Sequence, residues 1–151
     1  DSPLHPAQLR GSATKEGETR RAEVALGHHL QPLANGAASL CGIDPALFWS
    51  LVLRESSGRH WDAEGRVLRS SSNALGLGQI KASTARGVSP LLDPLKPFDN
   101  AVASACHLRS LIDANRGNVR KSLHDYHAGA YRKRTTAATL AYASDIIQGA
   151  N

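Results

Sequence analysis

The chain has 151 residues, 41% of them hydrophobic and 21% charged, so it is long enough to bury one core and is expected to form a single domain. Eighteen Lys and Arg against thirteen Asp and Glu give a net charge of +5, which suits either contact with an anionic polymer or a basic surface that is simply solvated. No apolar run approaches the roughly 18 residues that cross a bilayer, and no charged-then-apolar signal peptide opens the chain, so membrane insertion is not expected.

Residues 1–20 are predicted to form an extended N-terminal arm, because prolines and glycines interrupt them and they show no helical period. The chain starts at Asp1 and contains no methionine, which indicates a mature or excised piece. The domain proper is expected to occupy residues 21–151. Its first apolar pattern, over 21–40, predicts a helix that Pro32 kinks or splits in two.

The next segment has a strong helix start signal. Asp44 is placed as an N-cap and Pro45 at the first helical position, where its missing N–H costs nothing, so a helix is predicted over 45–56. Its apolar positions are Leu47, Phe48, Leu51, Val52 and Leu53. The helix then ends on one carboxylate, Glu55. An acid at the mouth of an apolar helix is partly desolvated, which raises its pKa towards that of a general acid.

The remainder of the chain predicts one small β-hairpin and four more helices. The turn of the hairpin is "DAEG" at 62–65, with Trp61 and Val67 as short strands on either side. The glycine-rich "GLGQIKASTARG" predicts a turn that leads into a short helix. The last three helices are predicted at 98–116 with Phe98 on the apolar face and a stop at Gly117, at 118–126, and at 135–148. The predicted fold is therefore mainly α.

The cysteines and histidines do not form a metal-binding pattern. Cys41 and Cys106 lack the spacing of a zinc site, and no cofactor or metal is expected. Two buried thiols packed as small hydrophobic groups are the preferred interpretation. A bridge stays open, because the two cysteines belong to elements expected to pack around the same core. The histidines at 28, 29 and 60 are interpreted as surface residues.

Four motifs together resemble one known family. They are "ESS" at 55–57, "SSSNALGLGQI" at 70–80, "DYHAG" at 125–129 and "TLAYASDII" at 139–147. Their order and spacing over residues 38–148 resemble those of the soluble lytic transglycosylases, which are similar to goose-type lysozymes and cleave the glycan strand of peptidoglycan. The resemblance implies a lysozyme-like α+β fold, with the hairpin next to the active-site cleft.

The resemblance also implies roles for individual residues. Glu55 matches the lone catalytic acid of the family, and Ser70 matches a serine near that acid. Gln79 matches a glutamine that binds an N-acetyl group. Tyr126 matches a tyrosine that faces the acid across the cleft, and Tyr142 one on the last helix that lines the site. Each also has a structural interpretation, as a turn residue, a helix cap or a half-buried packing residue.

Two positions depart from the family pattern. Gly78 stands where a bulky residue is usual, and we interpret it as opening the floor of the cleft. His127 stands where an asparagine is usual; it is interpreted as a substrate-binding residue that could add a second pH dependence, because histidine titrates near pH 6.5.

A single acid suffices if the substrate supplies the nucleophile. Most glycosidases use two carboxylates, but Asp62 and Glu64 fall in the predicted hairpin turn, where solvation is expected. The resemblance implies that Glu55 protonates the oxygen between MurNAc and GlcNAc and then acts as a base toward the 6-hydroxyl, which closes a 1,6-anhydro ring. A lysozyme that delivers water on the same scaffold stays open.

Two non-enzymatic functions are the remaining alternatives. A wall-binding or virion structural module would keep the fold without turnover. A nucleic-acid partner is not expected, because the dense basic cluster at 132–134 falls in a predicted loop and not on a recognition helix. The expected partner is peptidoglycan, bound by a monomeric domain in the periplasm or cell envelope, or in a virion component that acts on the cell wall.

Overall fold

The structure is a computed structural model that describes residues 29–128 and 137–151. The predicted arm at 1–20 and the basic cluster at 132–134 lie outside the described residues. Within those two ranges the fold is mainly α, as predicted, with six helices and one two-stranded antiparallel sheet. In chain order these elements are α1 (Gln31–Leu40), α2 (Pro45–Ser56), β1 (Ala74–Leu75), β2 (Ile80–Lys81), α3 (Ala82–Val88), α4 (Pro97–Ala114), α5 (Val119–Ala128) and α6 (Ala137–Ala150).

The two N-terminal helices show what proline does at a helix start. Pro32 lies in the first turn of α1, where its missing N–H costs nothing, so in the described part it begins the helix and does not kink it. The predicted kink is therefore absent from residues 29–40, whereas the alternative of a helix split in two at Pro32 stays a prediction, because residues 21–28 lie outside the described part. Helix α2 has the predicted bounds, and the Asp44 carboxylate accepts a hydrogen bond from the backbone N–H of Ala46 at 3.4 Å.

The main core lies between α1, α2, α4 and α6. Helix α2 contributes Phe48, Leu51 and Val52, all fully buried. Phe98, predicted on the apolar face of α4, is 44% exposed because it lies in the first turn of that helix, ahead of the buried stretch. The predicted stop is confirmed, since Gly117 has a φ of +87° and its N–H donates to the carbonyl of Ile112.

The segment between α2 and α3 forms the β part of the fold. The predicted hairpin is confirmed as a single antiparallel bridge between Trp61 and Val67. The two-stranded sheet lies further along, with Leu75 opposite Ile80, where the sequence predicted only a turn. The turn is tight because Gly76 and Gln79 both adopt positive φ, at +63° and +50°.

The two cysteines form a disulfide. Cys41 ends α1 and Cys106 lies on α4, with 5.0 Å between their Cα atoms. The interpretation as two free thiols is therefore wrong. The bridge forms because α1 packs along α4 and brings the end of one helix beside the middle of the other, which helical spacing alone does not reveal. Among the described residues, none of the helices combines the length and apolar character that crossing a membrane requires.

Candidate active site

The end of α2 opens into a groove of about 200 Å³. Its lining brings together three of the predicted site residues, Glu55, Ser70 and Gln79, although they come from separate segments. The complete lining is Glu55, Ser56, Ser57, Arg59, Leu68, Arg69, Ser70 and Gln79. Glu55 is the carboxylate in this set.

Glu55 has the perturbed environment that its position predicted. Burial at the end of the apolar helix raises the pKa of its carboxyl group above the usual value. A hydrogen bond from Tyr142 and the positive charge of Arg54 oppose this effect but do not cancel it. A raised pKa keeps the acid protonated over a wider pH range, which a general acid requires.

Tyr142 fixes one oxygen of that carboxyl group. It lies on α6, is 1% exposed, and its hydroxyl donates a hydrogen bond of 2.5 Å to Oε2 of Glu55. Burial and the nearby Glu55 charge raise the pKa of Tyr142, so the hydroxyl stays protonated and remains a donor. With Oε2 occupied, Oε1 is the oxygen of Glu55 that can carry and transfer a proton.

His127, predicted to bind substrate, contacts the ring of Tyr142 and is not among the residues that line the groove. Its ring stacks on the Tyr142 ring, with 4.3 Å between centroids and 21° between planes. Arg54 lies 5.7 Å from the centroid of the same tyrosine. Burial, followed by the charges of Arg54 and His124, lowers the pKa of His127. The imidazole therefore loses its proton at a lower pH than an ordinary histidine.

Tyr126 supports the neighbouring turn. Its hydroxyl donates a 2.6 Å hydrogen bond to the carbonyl of Gly78, and its place opposite the acid across the cleft stays a prediction. Burial and, to a smaller extent, the Glu55 charge raise the pKa of Tyr126, so its hydroxyl stays protonated and remains a donor. Its contact with the site is through the backbone that leads into Gln79.

The interpretation of Gly78 as an opened cleft floor is wrong. A Cβ atom at this position would lie 2.0 Å from Oγ of Ser104 and 3.3 Å from the Tyr126 hydroxyl. The missing side chain thus points at the buried face of α4, away from the groove. The glycine allows the turn to pack closely against that helix, so its role is in packing and not in shaping the groove.

Asn100 accepts from the N–H of Gly78 and Tyr126 donates to its carbonyl, so both backbone groups of this glycine are hydrogen-bonded by side chains. The Asn100 side chain is fully buried, and its Oδ1 accepts a hydrogen bond from the Gly78 N–H at 2.9 Å. Its Nδ2 donates to the carbonyls of Leu75 at 2.8 Å and Pro94 at 2.9 Å. One side chain therefore fixes the sheet, the loop before α4 and the turn.

His60 and Ser56 bind the next peptide of the same turn. His60 was predicted on the surface but is fully buried, because it fills the space beneath the turn. The Leu77 N–H donates to its Nδ1 at 3.1 Å, so Nε2 carries the hydrogen and donates to the Leu95 carbonyl at 2.8 Å. The Ser56 hydroxyl donates to the Leu77 carbonyl at 2.7 Å. The sequence analysis assigned no structural role to the buried side chains of Ser56, His60 and Asn100, because their hydrogen-bond partners lie in segments distant in the sequence.

Ser70 and Gln79 present polar groups to the groove from well-fixed backbones. The Ser70 hydroxyl oxygen accepts a hydrogen bond from the Ala74 N–H at 3.0 Å, so its turn role and its place in the groove coexist. The Gln79 side-chain amide donates to the carbonyl of Gly76 at 2.9 Å. This bond orients the half-buried Gln79 side chain toward the groove.

The two hairpin acids belong to a different environment. Asp62 accepts hydrogen bonds from the N–H groups of Glu64 and Arg66, at 2.9 and 3.0 Å, and both acids form ion pairs with the Arg66 guanidinium. Slight desolvation acts to raise the pKa of Asp62, but the two backbone hydrogen bonds and Arg66 outweigh it and lower that pKa. Neither acid lines the groove. Within 29–128 and 137–151, no group of three or more His, Cys, Asp or Glu could hold a metal ion.

Comparison with known proteins agrees with this architecture. The sequence model of the transglycosylase SLT domain family matches residues 32–146 of this chain. Among solved structures, the chain is similar to an inactive mutant of lytic transglycosylase Slt from Pseudomonas aeruginosa, in which a glutamate is replaced by glutamine. The TM-score is 0.69 at 18% sequence identity, over 82% of this chain and 23% of that one. The chain therefore spans about a quarter of that protein and shares its fold there.

Proposed function

Because this chain belongs to the transglycosylase SLT domain family, we propose that it is a peptidoglycan lytic transglycosylase that cleaves the MurNAc-β-1,4-GlcNAc bond and forms 1,6-anhydroMurNAc. The observation that carries the proposal is Glu55, a carboxyl group with a raised pKa that lies in a groove without a second carboxylate among its lining residues. The structural neighbour supports a glutamate in this role, since its inactive form has a glutamate replaced by glutamine.

In the first step Glu55 acts as the general acid. Its proton, carried on Oε1, passes to the oxygen that joins MurNAc to GlcNAc, and the bond between that oxygen and the MurNAc C1 breaks. The hydrogen bond from Tyr142 to Oε2 stabilises the carboxylate that this transfer creates. The positive charge that develops on MurNAc lies next to its own N-acetyl group, which can share that charge. In this proposal Gln79, whose side-chain amide donates to the carbonyl of Gly76, binds the same N-acetyl group.

In the second step the same residue acts as the base. The Glu55 carboxylate takes the proton from the 6-hydroxyl of MurNAc, whose oxygen bonds to C1 and closes the anhydro ring. Glu55 regains its proton, so the enzyme returns to its starting state and no water is consumed. One carboxylate therefore performs both proton transfers, which explains why a second acid is not needed in the groove.

Digestion of purified peptidoglycan tests the proposal directly. The soluble muropeptides are weighed by mass spectrometry before and after treatment with borohydride, with the Glu55→Gln variant as the control. We expect products lighter by one water than lysozyme products, with ends that borohydride does not reduce. Reducible, hydrated MurNAc ends would instead assign a lysozyme-type hydrolase, and intact strands would assign a wall-binding or virion module.

The site of action follows from the substrate. We propose that the domain acts as a monomer on peptidoglycan in the cell envelope, or as a virion component that meets the wall. The net charge of +5 favours approach to this anionic polymer. Binding of the Glu55→Gln variant to sedimented peptidoglycan, with light scattering to give its mass in solution, measures both expectations.

A further inference from the structure

The groove contains two positive charges that the proposed reaction does not use. Arg59 and Arg69 both line it beside Glu55, and both side chains are exposed. Neither has a carboxylate within 4.0 Å among the residues that the structure describes, and Arg69 makes only a long contact, 3.5 Å, from Nη1 to the Asn73 side-chain oxygen. Their guanidinium groups are therefore available to a ligand in the groove.

Other arginines of the described part serve structural ion pairs. Arg54 pairs with Asp145, Arg66 with the hairpin acids, and Arg109 with Asp113. Arginines without a carboxylate partner also occur away from the groove, so the absence of a partner alone is not distinctive. The position of Arg59 and Arg69 is distinctive, because two arginines from separate segments line the groove that holds the reacting acid.

The backbones that carry these two arginines are fixed. The Arg59 N–H donates to the carbonyl of Ser56 at 3.2 Å, and Ser56 is the residue that follows Glu55 in the sequence. Arg69 forms an antiparallel bridge with Leu75, at the start of the turn that Asn100 and His60 hold. The exposed side chains therefore extend from hydrogen-bonded backbone on two separate segments of the groove.

We propose that Arg59 and Arg69 form a subsite for carboxylates on the lactyl ether or stem peptide of MurNAc, in the strand that Glu55 cleaves. This inference rests on the proposed function and gives the enzyme a preference for strands with free carboxylates. A planar guanidinium binds a carboxylate through two parallel hydrogen bonds, and it gains nothing comparable from neutral N-acetylglucosamine. Amidation, which replaces the acceptor oxygen and removes the charge, is therefore expected to weaken binding at this subsite.

The test compares four proteins on three strands. The proteins are the wild type, Arg59→Gln, Arg69→Gln and the control Arg66→Gln, which removes the same charge from the hairpin outside the groove. The strands carry stem peptides with free carboxylates, the same peptides after chemical amidation, or no peptides, which leaves the lactyl carboxylate. On free-carboxylate strands we expect each groove variant to raise KM about 1.5- to 5-fold, as for exposed ion pairs, with kcat unchanged.

Several outcomes separate the possibilities. On amidated strands the wild type should lose its advantage over the two groove variants. If the advantage persists on peptide-free strands, the lactyl carboxylate is the ligand; if it disappears, the stem peptide is. Equal KM values for the wild type on free and amidated strands, or an equal effect of Arg66→Gln, would overturn the subsite.

A binding measurement keeps this inference separate from the proposed function. The Glu55→Gln variant, with and without Arg59→Gln and Arg69→Gln, is titrated with the same strands at low ionic strength. Weaker binding of the triple variant to free-carboxylate strands supports the subsite even if the wild type does not cleave. Cleavage without any carboxylate dependence of binding would leave the enzyme proposal intact and refute the subsite.

Discussion

The end of α2 and the hairpin that follows it carry acids that are close together in the sequence but lie in different surroundings. Glu55 is half-buried, and its partner Tyr142 comes from the last helix of the chain. Asp62 binds the N–H groups of its own turn and pairs with Arg66, four residues on. Burial in the fold raises the pKa of the first acid although Tyr142 opposes it, whereas local hydrogen bonds and Arg66 lower the pKa of the second.

This contrast shows how one side-chain type acquires two roles. An acid in a turn is surrounded by backbone donors and water, which stabilise its charged form and leave it little tendency to donate a proton. An acid at the end of a buried helix lacks that solvation, and the fold must supply a donor such as Tyr142 to hold it. If the contrast is right, variants should have effects that follow the tertiary contacts of Glu55.

The largest effect is expected from Glu55→Gln. The amide keeps the size and polarity of the side chain but cannot donate or accept the proton, so activity should fall by about 10²- to 10⁴-fold, the typical contribution of general acid–base catalysis. Lysis of purified peptidoglycan measures the change, and an unchanged circular dichroism spectrum and melting temperature serve as controls. A variant that kept a tenth of wild-type activity would contradict the role given to Glu55.

The next largest effect concerns the other end of α2. The Cys41–Cys106 bridge ties the chain just before this helix to α4, with a sequence separation of 65. In the chain-entropy model, removal of a bridge of this span costs about 4 kcal/mol of unfolding free energy. Denaturant unfolding of the Cys41→Ser, Cys106→Ser double variant measures the loss, and adding reductant should destabilise the wild type but not the variant.

Tyr142→Phe should change the pH dependence of activity. The hydroxyl lowers the pKa of Glu55, because it donates a hydrogen bond to the carboxylate. Without it that pKa rises further, and the acid stays protonated to a higher pH. Since activity is lost as pH rises through the pKa of the acid, the high-pH limb of the kcat/KM profile should move to higher pH.

Tyr126→Phe is the matched control for this shift. It removes the same hydroxyl from a neighbouring tyrosine whose partner is the Gly78 carbonyl and not the acid. For Tyr126→Phe we expect a smaller loss of activity than for Tyr142→Phe, and little movement of the high-pH limb of its kcat/KM profile. If both variants moved the limb equally, the hydrogen bond to Glu55 would not be the cause of the shift.

The same division between local and tertiary contacts explains what could be predicted from the sequence. The bounds of α2 followed from Asp44 and Pro45, and the hairpin followed from its turn residues, because those signals act within a few residues. The candidate position of Glu55 came from the same local pattern. A family resemblance then added distant residues that periodicity does not connect.

The errors arose where distant segments meet. His60 was predicted on the surface, but the turn at 75–79 folds over it and makes it a buried hydrogen-bonding residue. Gly78 was assigned to the cleft floor, although its missing side chain points at Ser104 on α4. The pairing of the cysteines likewise depends on how α1 packs against α4. A sequence read segment by segment does not contain these relations.

The smallest effects are expected in the hairpin, from Asp62→Asn and Glu64→Gln. If Glu55 performs both proton transfers, no second carboxylate is needed to hold a water, and turnover should change by no more than about twofold. The fold should also persist, since surface substitutions of this kind change stability by only about 0.5 kcal/mol. Asp62→Asn keeps a side-chain oxygen that can accept from the backbone of the turn, so the hairpin should persist. Initial rates on purified peptidoglycan, alongside Glu55→Gln, give the comparison. A loss of a hundredfold in either hairpin variant would mean that the hairpin closes over the substrate and supplies the second acid, and the contrast between the two regions would then fail.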